Sequence, residues 1–448
     1  MDLSQIQNAY FIGIGGIGMS ALARYLKHAG KTVTGYDKSP TQLTQTLQNE
    51  GIQVTFEDAT LHIPQNFTKE NTLVVITPAV PKSHKQWNYF HENSYVIRKR
   101  AEVLGIITKD TYCFAVAGTH GKTTTSSILG HILYEAGEDV TAFVGGVVEN
   151  YASNLIGSGT KITVVEADEF DRSFLRLHPN VACITSTDAD HLDIYGDKAS
   201  IEAAFREFAD KVEDKSRFFV TSGLPLPGNT IAVEGDADFK AFNVRVGDGE
   251  YLFDVQTPDA IIPNLRFKLP GRHNLSNALT ALSMALTFGI PAEKIRKSLL
   301  SFKGIKRRFS YQIKSEKVVY IDDYAHHPTE IDAVHRAVRE LYPTKRVLAI
   351  FQPHLFSRTK DFVDDFARSL SGFDEVVLLD IYPARELPME GVTSEWLLSK
   401  IENPRKRLVG KDNLVSEILD RNAEVVVTIG AGDIGEMVQD IKAALLQH

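Results

Sequence analysis

One short stretch, Gly118-Thr119-His120-Gly121-Lys122-Thr123-Thr124-Thr125, constrains the fold more than any other part of the chain. It follows an apolar run at 113–116 and precedes a segment with apolar residues at helical spacing. A strand, a glycine loop and a helix in this order form a phosphate-binding loop, whose backbone N–H groups point at the phosphates. The stretch therefore predicts an α/β domain that binds ATP, with Lys122 neutralising the β and γ phosphates and the Thr123 hydroxyl ligating Mg²⁺.

A second glycine loop, Gly13-Ile14-Gly15-Gly16-Ile17-Gly18, lies between the first apolar run of the chain and a helical pattern. Glycines let the backbone approach a pyrophosphate closely, and Asp37 ends the next predicted strand, where a ribose-binding acid would sit. The pattern predicts a nucleotide site but leaves NAD, FAD and a nucleotide sugar open, so an NAD-dependent dehydrogenase is a first hypothesis. An ATP site in the next block of chain weakens that hypothesis.

Acidic residues follow two further predicted strands. The segment 166–171 comes after the strand at 162–165, and the segment 188–193 comes after the strand at 181–185. Because parallel strands end at one edge of a sheet, these side chains are expected to converge on the phosphate loop. Glu166 and His191 are the candidate magnesium ligands, and the alternative is that such acids cap helices or face solvent.

Length and residue patterns predict the domain organisation. A chain of 448 residues is expected to form about three domains. Strand and helix patterns alternate in three blocks, which predicts domains at 1–105, 106–305 and 306–448. Between about 217 and 269, short strands without helices suggest an antiparallel edge in the second block.

Composition excludes several classes of protein. The net charge of -8 gives no basic footprint for nucleic acid or anionic lipid. The N-terminus resembles no signal peptide, and no apolar run approaches the length of a spanning helix, so we expect no membrane contact. Cys113 and Cys183 lie in apolar runs and are expected to be reduced core residues, which favours the cytoplasm.

Three more polar motifs follow strands or open helices in the rest of the chain. They are Gly271-Arg272-His273-Asn274-Leu275-Ser276-Asn277, the segment 321–330 with a His-His pair, and the segment 351–359 with Arg358. Polar, aromatic and basic residues at strand ends indicate a site. The blander alternatives are a helix cap at Asn274, a helix-surface position at Asn277 and a surface hydrogen-bond network for the His-His pair.

Taken in order, these motifs resemble the Mur ligase family of peptidoglycan synthesis over nearly the whole chain. The resemblance implies an N-terminal Rossmann-like domain for UDP, a central P-loop ATPase domain with a mixed sheet, and a C-terminal Rossmann-like domain that closes over ATP and binds the amino acid. The residues that it implies for the nucleotide are Gly118, Thr119, Gly121, Lys122, Thr123, Thr124, His273, Asn274, Asn277, Arg308 and Tyr324. For the other substrates it implies Gly15, Gly16, Ile17, Gly18, Asp37, His120, Tyr324, His326 and Arg358, and for magnesium Thr123, Glu166 and His191.

Within the family, the branch that joins L-alanine to UDP-N-acetylmuramate gives the best resemblance. Several relatives carry a carbamylated lysine after the Asp-His motif, but this chain has Phe205 there. The resemblance implies an acyl-phosphate mechanism with ATP and Mg²⁺, catalytic roles for Lys122, His326 and Arg358, and a monomer or weak homodimer. The alternative within the family is a recycling ligase that attaches a ready-made tripeptide.

Three positions depart from the family pattern. Leu355 stands where relatives often carry arginine, Ser186 replaces a common asparagine, and Ala325 replaces a common glycine. These departures bear on amino-acid preference more than on the fold or the use of ATP.

Overall fold

The strands form three sheets in the computed structural model, which describes residues 3–77, 80–188, 195, 198–247, 250–384 and 386–447. Two compact units divide the chain. The first comprises residues 1–245, 252–267 and 276–303, and the second comprises 246–251, 268–275 and 304–448. None of the helices in the described residues is both long and apolar enough to cross a bilayer.

The first sheet has five parallel strands in the order β3-β2-β1-β4-β5. Its strands and helices are β1 (Asn8–Ile12), α1 (Ile17–His28), β2 (Thr32–Tyr36), α2 (Gln42–Asn49), β3 (Gln53–Thr55), β4 (Thr72–Ile76), α3 (Lys85–Glu92), β5 (Val96–Lys99) and α4 (Arg100–Lys109). Every residue of β1 is buried, because helices cover both faces of a parallel sheet. The first glycine loop consequently lies at the carboxyl edge of the central strand.

The second sheet has ten strands in the order β15-β14-β13-β12-β11-β10-β6-β9-β7-β8. The strands are β6 (Tyr112–Ala117), β7 (Val140–Val148), β8 (Ser153–Ile156), β9 (Ile162–Ala167), β10 (Val181–Ile184), β11 (Phe218–Thr221), β12 (Asn229–Val233), β13 (Phe239–Gly247), β14 (Glu250–Gln256) and β15 (Ile261–Phe267). The helices are α5 (Lys122–Glu135), α6 (Lys198–Asp210), α7 (Arg272–Phe288) and α8 (Ala292–Ser301). Strand β6 lies between β10 and β9, both parallel to it, so the ends of these three strands share one edge.

The third sheet has six strands in the order β16-β17-β21-β18-β19-β20, parallel except for β16. Its strands are β16 (Ser310–Lys314), β17 (Val319–Asp323), β18 (Val347–Phe351), β19 (Glu375–Leu378), β20 (Lys406–Leu408) and β21 (Val425–Ile429). Its helices are α9 (Pro328–Leu341), α10 (Phe356–Asp361), α11 (Val363–Ser371), α12 (Ser394–Lys400), α13 (Lys411–Arg421) and α14 (Val438–Gln447). Apolar residues from both faces of β17, β18 and β21 form the core.

The predicted α/β class and the mixed central sheet are confirmed, since β7 and β8 pair antiparallel while β6 pairs parallel with both neighbours. The predicted antiparallel arrangement is wrong for β11, β12 and β13, which pair parallel. The Asp238 carboxylate accepts hydrogen bonds from the Thr230 backbone N–H at 2.8 Å and from its hydroxyl at 2.7 Å. This contact brings the starts of β12 and β13 side by side, as a parallel register requires.

The two cysteines are buried and unpaired, as expected. Burial raises the pKa of the Cys113 thiol to about 12, and it raises the pKa of Cys183 to the same value. Both thiols are therefore protonated and unreactive at neutral pH.

Candidate active site

The second glycine loop needs its glycines for conformation and for space. Gly118 and Gly121 have φ of +128° and +83°, a region that residues with side chains rarely adopt. A Cβ at Gly121 would lie 2.5 Å from Oδ1 of Asn277, whose side chain also accepts a hydrogen bond from the Thr125 hydroxyl at 3.3 Å. The loop is therefore packed closely against Asn277 of α7, which belongs to the first unit.

The end of β10 holds the middle of this loop. The Ser186 hydroxyl bonds the Thr119 hydroxyl at 2.8 Å and accepts the backbone N–H of His120 at 2.8 Å. The His120 ring lies 3.2 Å from a carboxylate oxygen of Asp188, measured from Nε2 to Oδ2. Ser186, which departs from the family pattern, thus has a defined role in shaping the loop.

Lys122 begins α5 and is held by a buried carboxylate. Its Nζ donates to the Gly118 carbonyl at 2.6 Å and to both carboxylate oxygens of Glu169 at 2.7 and 3.0 Å. Burial lowers the pKa of Lys122, but the neighbouring carboxylates, Glu169 first, outweigh it, so the pKa is raised overall. Lys122 is consequently a permanent cation, and Glu169, 2% exposed, is a site residue that the sequence analysis quoted but did not single out.

Of the residues predicted for magnesium, Thr123 follows Lys122 directly in α5 and Glu166 lies on β9. The Thr123 hydroxyl donates to Glu166 at 3.1 Å, and Ser126 donates to the same carboxylate at 3.3 Å. The backbone N–H of Gly145 also contacts this carboxylate. A carboxylate and a hydroxyl oxygen are the hard ligands that Mg²⁺ prefers, so this donor set fits the ion.

The other residues predicted for the metal and for the nucleotide include His191 and Thr124. His191 lies outside the described residues. Within the part of the chain that the structure describes, no group of three or more His, Cys, Asp or Glu side chains is arranged to hold a metal ion. Thr124, in the first turn of α5, is buried.

The first glycine loop is closed by Asp37, which follows β2. The Gly15 backbone N–H donates to the Asp37 carboxylate at 2.6 Å, and a Cβ at Gly15 would lie 2.8 Å from the same oxygen. Asp37 therefore fixes the shape of the loop at Gly15.

Both glycine loops line one cavity of about 340 Å³ in the first unit. Gly16, Ile17 and Gly18 contribute from the first loop, and Lys122 and Thr123 from the second. Its remaining lining residues include Thr77, Arg100, Gly145, Glu166 and Asp168. Two glycine loops that open on one cavity can hold two anionic groups close together.

A buried polar cluster fixes α1 against β8. Asn154, on β8, donates to the Ser20 hydroxyl at 2.9 Å and also contacts the Ile17 carbonyl and Arg24. Arg24 pairs in turn with the Glu50 carboxylate at 2.7 and 3.0 Å. Because α1 starts at the first loop, this cluster sets the position of that loop against the central sheet.

The second unit holds a separate group of aromatic and basic side chains. The guanidinium groups of Arg307 and Arg308 both lie over the Tyr324 ring, at 5.2 and 5.3 Å from its centroid. Arg308 also approaches the Glu330 carboxylate, at 3.8 Å. An aromatic ring with two guanidinium groups beside it can help to orient a flat or anionic ligand.

The His326 ring meets the Tyr324 ring edge to face, with the two ring centroids 5.5 Å apart. Its Nδ1 lies 2.9 Å from the Tyr324 carbonyl, which only accepts, so Nδ1 carries the proton and Nε2 is the basic nitrogen. Burial first, and then Arg358 and Arg308, lower the pKa of His326 against the opposing effect of Glu330. His326 is therefore neutral at pH 7.

Two residues that the sequence analysis did not assign complete this group. The Arg358 guanidinium lies 3.5 Å from Nδ1 of His354, and the His354 ring stacks on Tyr382 at 5.8 Å. Backbone hydrogen bonds from Tyr382 to Pro353 at 2.8 Å and from Leu355 to Tyr382 at 3.0 Å fix the stack. His354 belongs to the polar segment 351–359, whereas no local sequence pattern marks Tyr382.

The residues expected near adenine are divided between the units. Asn277 touches the phosphate loop in the first unit, whereas His273 and Asn274 belong to the second. Asn274 donates its side-chain amide to the Pro270 carbonyl at 2.6 Å, which makes it part of the helix start. Burial and then Arg336 lower the pKa of His273 to about 4, so its ring is neutral.

Comparison with known proteins identifies the family. Three family models match in order: the Mur ligase family catalytic domain at residues 8–112, the Mur ligase middle domain at 116–285, and the Mur ligase glutamate ligase domain at 307–432. The chain belongs to the Mur ligase family, and its three-domain architecture is that of the family.

Two curated relatives and one solved structure narrow the resemblance within the family. The UDP-N-acetylmuramate–L-alanine ligase of Flavobacterium psychrophilum is 68% identical over 99% of both chains. The enzyme of the same name from Flavobacterium johnsoniae is 67% identical over 100% of both. The crystal structure of the UDP-N-acetylmuramate-alanine ligase from Thermotoga maritima has a TM-score of 0.83 and 25% identity, covering 98% of this chain and 99% of that chain.

A second solved structure has the same fold. The murein peptide ligase of Psychrobacter arcticus gives a TM-score of 0.72 at 23% identity, over 98% of both chains. At this identity the likeness concerns the fold alone.

Proposed function

We propose that the protein is an ATP-dependent ligase that joins L-alanine to the lactyl carboxylate of UDP-N-acetylmuramate in peptidoglycan precursor synthesis. The observation that carries the proposal is the single cavity lined by both glycine loops. One loop suits the pyrophosphate of a nucleotide sugar and the other the phosphates of ATP, so the acceptor carboxylate and the γ-phosphoryl group can meet there. The full-length identity to the two Flavobacterium ligases supports the choice of L-alanine.

The first chemical step activates a poor electrophile. An oxygen of the lactyl carboxylate attacks the γ-phosphorus, the bond to the β-phosphate oxygen breaks, and ADP leaves an acyl phosphate behind. Because two anions must approach each other, the Lys122 cation is needed to neutralise the transferring group. Thr123 and Glu166, together with His191, would hold Mg²⁺, which when bound supplies further positive charge to the phosphates.

The second step forms the amide bond. The neutral amine of L-alanine attacks the acyl carbon, inorganic phosphate leaves, and one proton must pass from the nitrogen to a base. We assign that base to Nε2 of His326, since its imidazole is neutral at pH 7, and we place the alanine carboxylate near Arg358. Water would hydrolyse the acyl phosphate, so the domain at 306–448 must close over the substrates bound to the domains at 1–105 and 106–305.

The remaining predicted residues are assigned either to ATP or to the nucleotide sugar. Gly118, Thr119, Gly121 and Thr124 would surround the ATP phosphates, and Arg308 with Tyr324 would contact the nucleotide. Gly15 to Gly18 would hold the UDP pyrophosphate, with Asp37 shaping their loop and His120 facing the sugar. The two buried, unpaired cysteines fit a reducing compartment such as the cytoplasm.

The test is ADP release from Mg-ATP and UDP-N-acetylmuramate, with L-alanine, glycine, L-serine and the L-Ala-γ-D-Glu-diaminopimelate tripeptide compared as acceptors. Preference for L-alanine is the expected result. Preference for the tripeptide would indicate a recycling ligase. Binding of NAD(H) without ATP turnover would indicate an NAD-dependent dehydrogenase.

The Lys122→Ala variant tests the division of the two loops. We expect ADP formation to fall by at least ~10²- to 10³-fold, because one preorganised cation is lost from the transition state. Binding of UDP-N-acetylmuramate, measured by calorimetry without ATP, should stay near the wild-type value. An equal loss of ADP formation and of UDP-N-acetylmuramate binding would contradict the assignment of Lys122 to ATP.

A further inference from the structure

The cavity between the two glycine loops contains a second cation besides Lys122. Arg100 is the first residue of α4 and follows directly on the end of β5, at the carboxyl edge of the first sheet. Its guanidinium lies against the first glycine loop, since a Cβ at Gly18 would be 2.7 Å from Nη1. The Arg100 side chain lines the cavity and is 30% exposed.

The partner of Arg100 holds it loosely. The nearest carboxylate oxygen, Oδ2 of Asp168, lies 3.8 Å from Nη2, beyond hydrogen-bond distance. The other oxygen of Asp168 accepts the backbone N–H of Phe170 at 3.1 Å. Lys122 differs, because Glu169 contacts it with both oxygens at 2.7 and 3.0 Å. An incoming anion can therefore bind Arg100 more readily than it can displace Glu169.

The position of Arg100 limits which anion it can bind. It stands between Gly18, on the loop assigned to the pyrophosphate, and Asp168, which follows β9 just beyond Glu166. A substrate that runs from the first loop to the phosphates of ATP passes this point with the group that will be phosphorylated. We propose that the Arg100 guanidinium binds the lactyl carboxylate of the nucleotide sugar and presents it to the γ-phosphate.

This assignment rests on the proposed function and adds the residue that selects the acceptor. A guanidinium fork can bind both oxygens of a carboxylate, which fixes the orientation of the attacking oxygen. It also offsets part of the repulsion between the carboxylate and the triphosphate. Arg100 would thereby distinguish a nucleotide sugar with a lactyl group from one without it.

The experiment compares two ligands that differ only in that group. Calorimetry without ATP gives the dissociation constants of UDP-N-acetylmuramate and UDP-N-acetylglucosamine for the wild type, Arg100→Met, Arg100→Lys and the control Lys109→Met. Lys109 carries the same charge at the other end of α4 and is exposed. Thermal unfolding of each variant checks that it is folded.

We expect the wild type to bind UDP-N-acetylmuramate about 10- to 100-fold more tightly than UDP-N-acetylglucosamine, the range for a hydrogen-bonded charge pair. Arg100→Met should reduce this ratio to near one by weakening only UDP-N-acetylmuramate, and Arg100→Lys should give an intermediate ratio. Lys109→Met should leave the ratio unchanged.

Four results would overturn the inference. Equal weakening of both ligands by Arg100→Met would mean that Arg100 binds the pyrophosphate or shapes the loop. An unchanged ratio in Arg100→Met, or a wild type that binds both sugars equally, would show that Arg100 does not bind the lactyl carboxylate. If the wild type bound neither ligand, the proposed function itself would fail, and the inference with it.

Discussion

The buried pair of Lys122 and Glu169 makes a sharp prediction about nucleotide binding. If Lys122 binds the phosphates of ATP, those phosphates must compete with a carboxylate that now contacts its ammonium at 2.7 and 3.0 Å. The Glu169→Gln variant keeps the shape and one acceptor oxygen but removes the charge. We therefore expect it to bind ATP more tightly than the wild type does, although the protein itself is less stable.

The magnitudes follow from the burial of the pair. Glu169 is 2% exposed, so a charge-assisted hydrogen bond lost there should lower the free energy of unfolding by about 2 kcal/mol. For ATP, the lost competition and repulsion should favour binding by about 1.4 kcal/mol, which is a tenfold lower dissociation constant. The two effects have opposite signs, which makes them easy to separate.

Calorimetry with Mg-ATP in the absence of the nucleotide sugar measures the affinity, and thermal unfolding with and without ATP measures the stability. Because ligand binding stabilises the folded state in proportion to the logarithm of its affinity, ATP should raise the melting temperature more in the variant than in the wild type. Glu207→Gln is the matched control, since Glu207 and its partner Arg172 are both 56% exposed. Weaker ATP binding by Glu169→Gln would refute the reasoning and assign Glu169 to the nucleotide or its metal.

Two further predictions concern the base and the cluster behind the first loop. Because burial lowers the pKa of His326 below 6.5, kcat/KM for L-alanine should fall more steeply below that lowered pKa than protonation of the alanine amine alone requires, and His326→Gln should remove this extra fall; a profile that His326→Gln leaves unchanged would contradict its role. Asn154→Ala should lower the free energy of unfolding by about 2 kcal/mol, because Ser20 and Arg24 lose a buried partner. An unaltered urea midpoint would contradict the predicted loss of stability. The variant should also lower kcat, while the separate binding of ATP and of the nucleotide sugar changes little.

The elements around the site could be predicted because their signals are local. The strand at 9–12, the one at 113–116 and the glycine loops behind them depend on short apolar runs and on glycine at fixed places. The structure has those strands as β1 and β6. The same local reasoning failed at β12, where Asp238 and Thr230 impose a parallel register that short, broken strands do not suggest.

Side-chain partners within the site could not be predicted, because they depend on turns that no periodicity marks. The acidic segment 166–171 contains several carboxylates, and the sequence alone does not show which of them contacts Lys122. Glu166 lies on β9, which ends at Ala167, and accepts a hydrogen bond from Thr123, whereas Glu169 follows the strand and contacts Lys122. Arg100 follows two other basic residues in sequence, and only its tertiary position against Gly18 distinguishes it.

The charges of the cavity show why the two loops must act together. Lys122 is paired with Glu169, and Arg100 lies near Asp168, so each cation that an anionic substrate needs already has a carboxylate beside it. An anion that enters beside Lys122 alone meets the negative charge of Glu169 as well and gains little, whereas the loosely held Arg100 can still bind a carboxylate. In the proposed function, ATP with a divalent cation would change that balance, because the cation would add positive charge near Glu166 and the phosphates would replace the contact of Glu169 with Lys122. The nucleotide and the acceptor carboxylate are thereby coupled through the same few side chains, and the cavity favours the pair of substrates over either one alone.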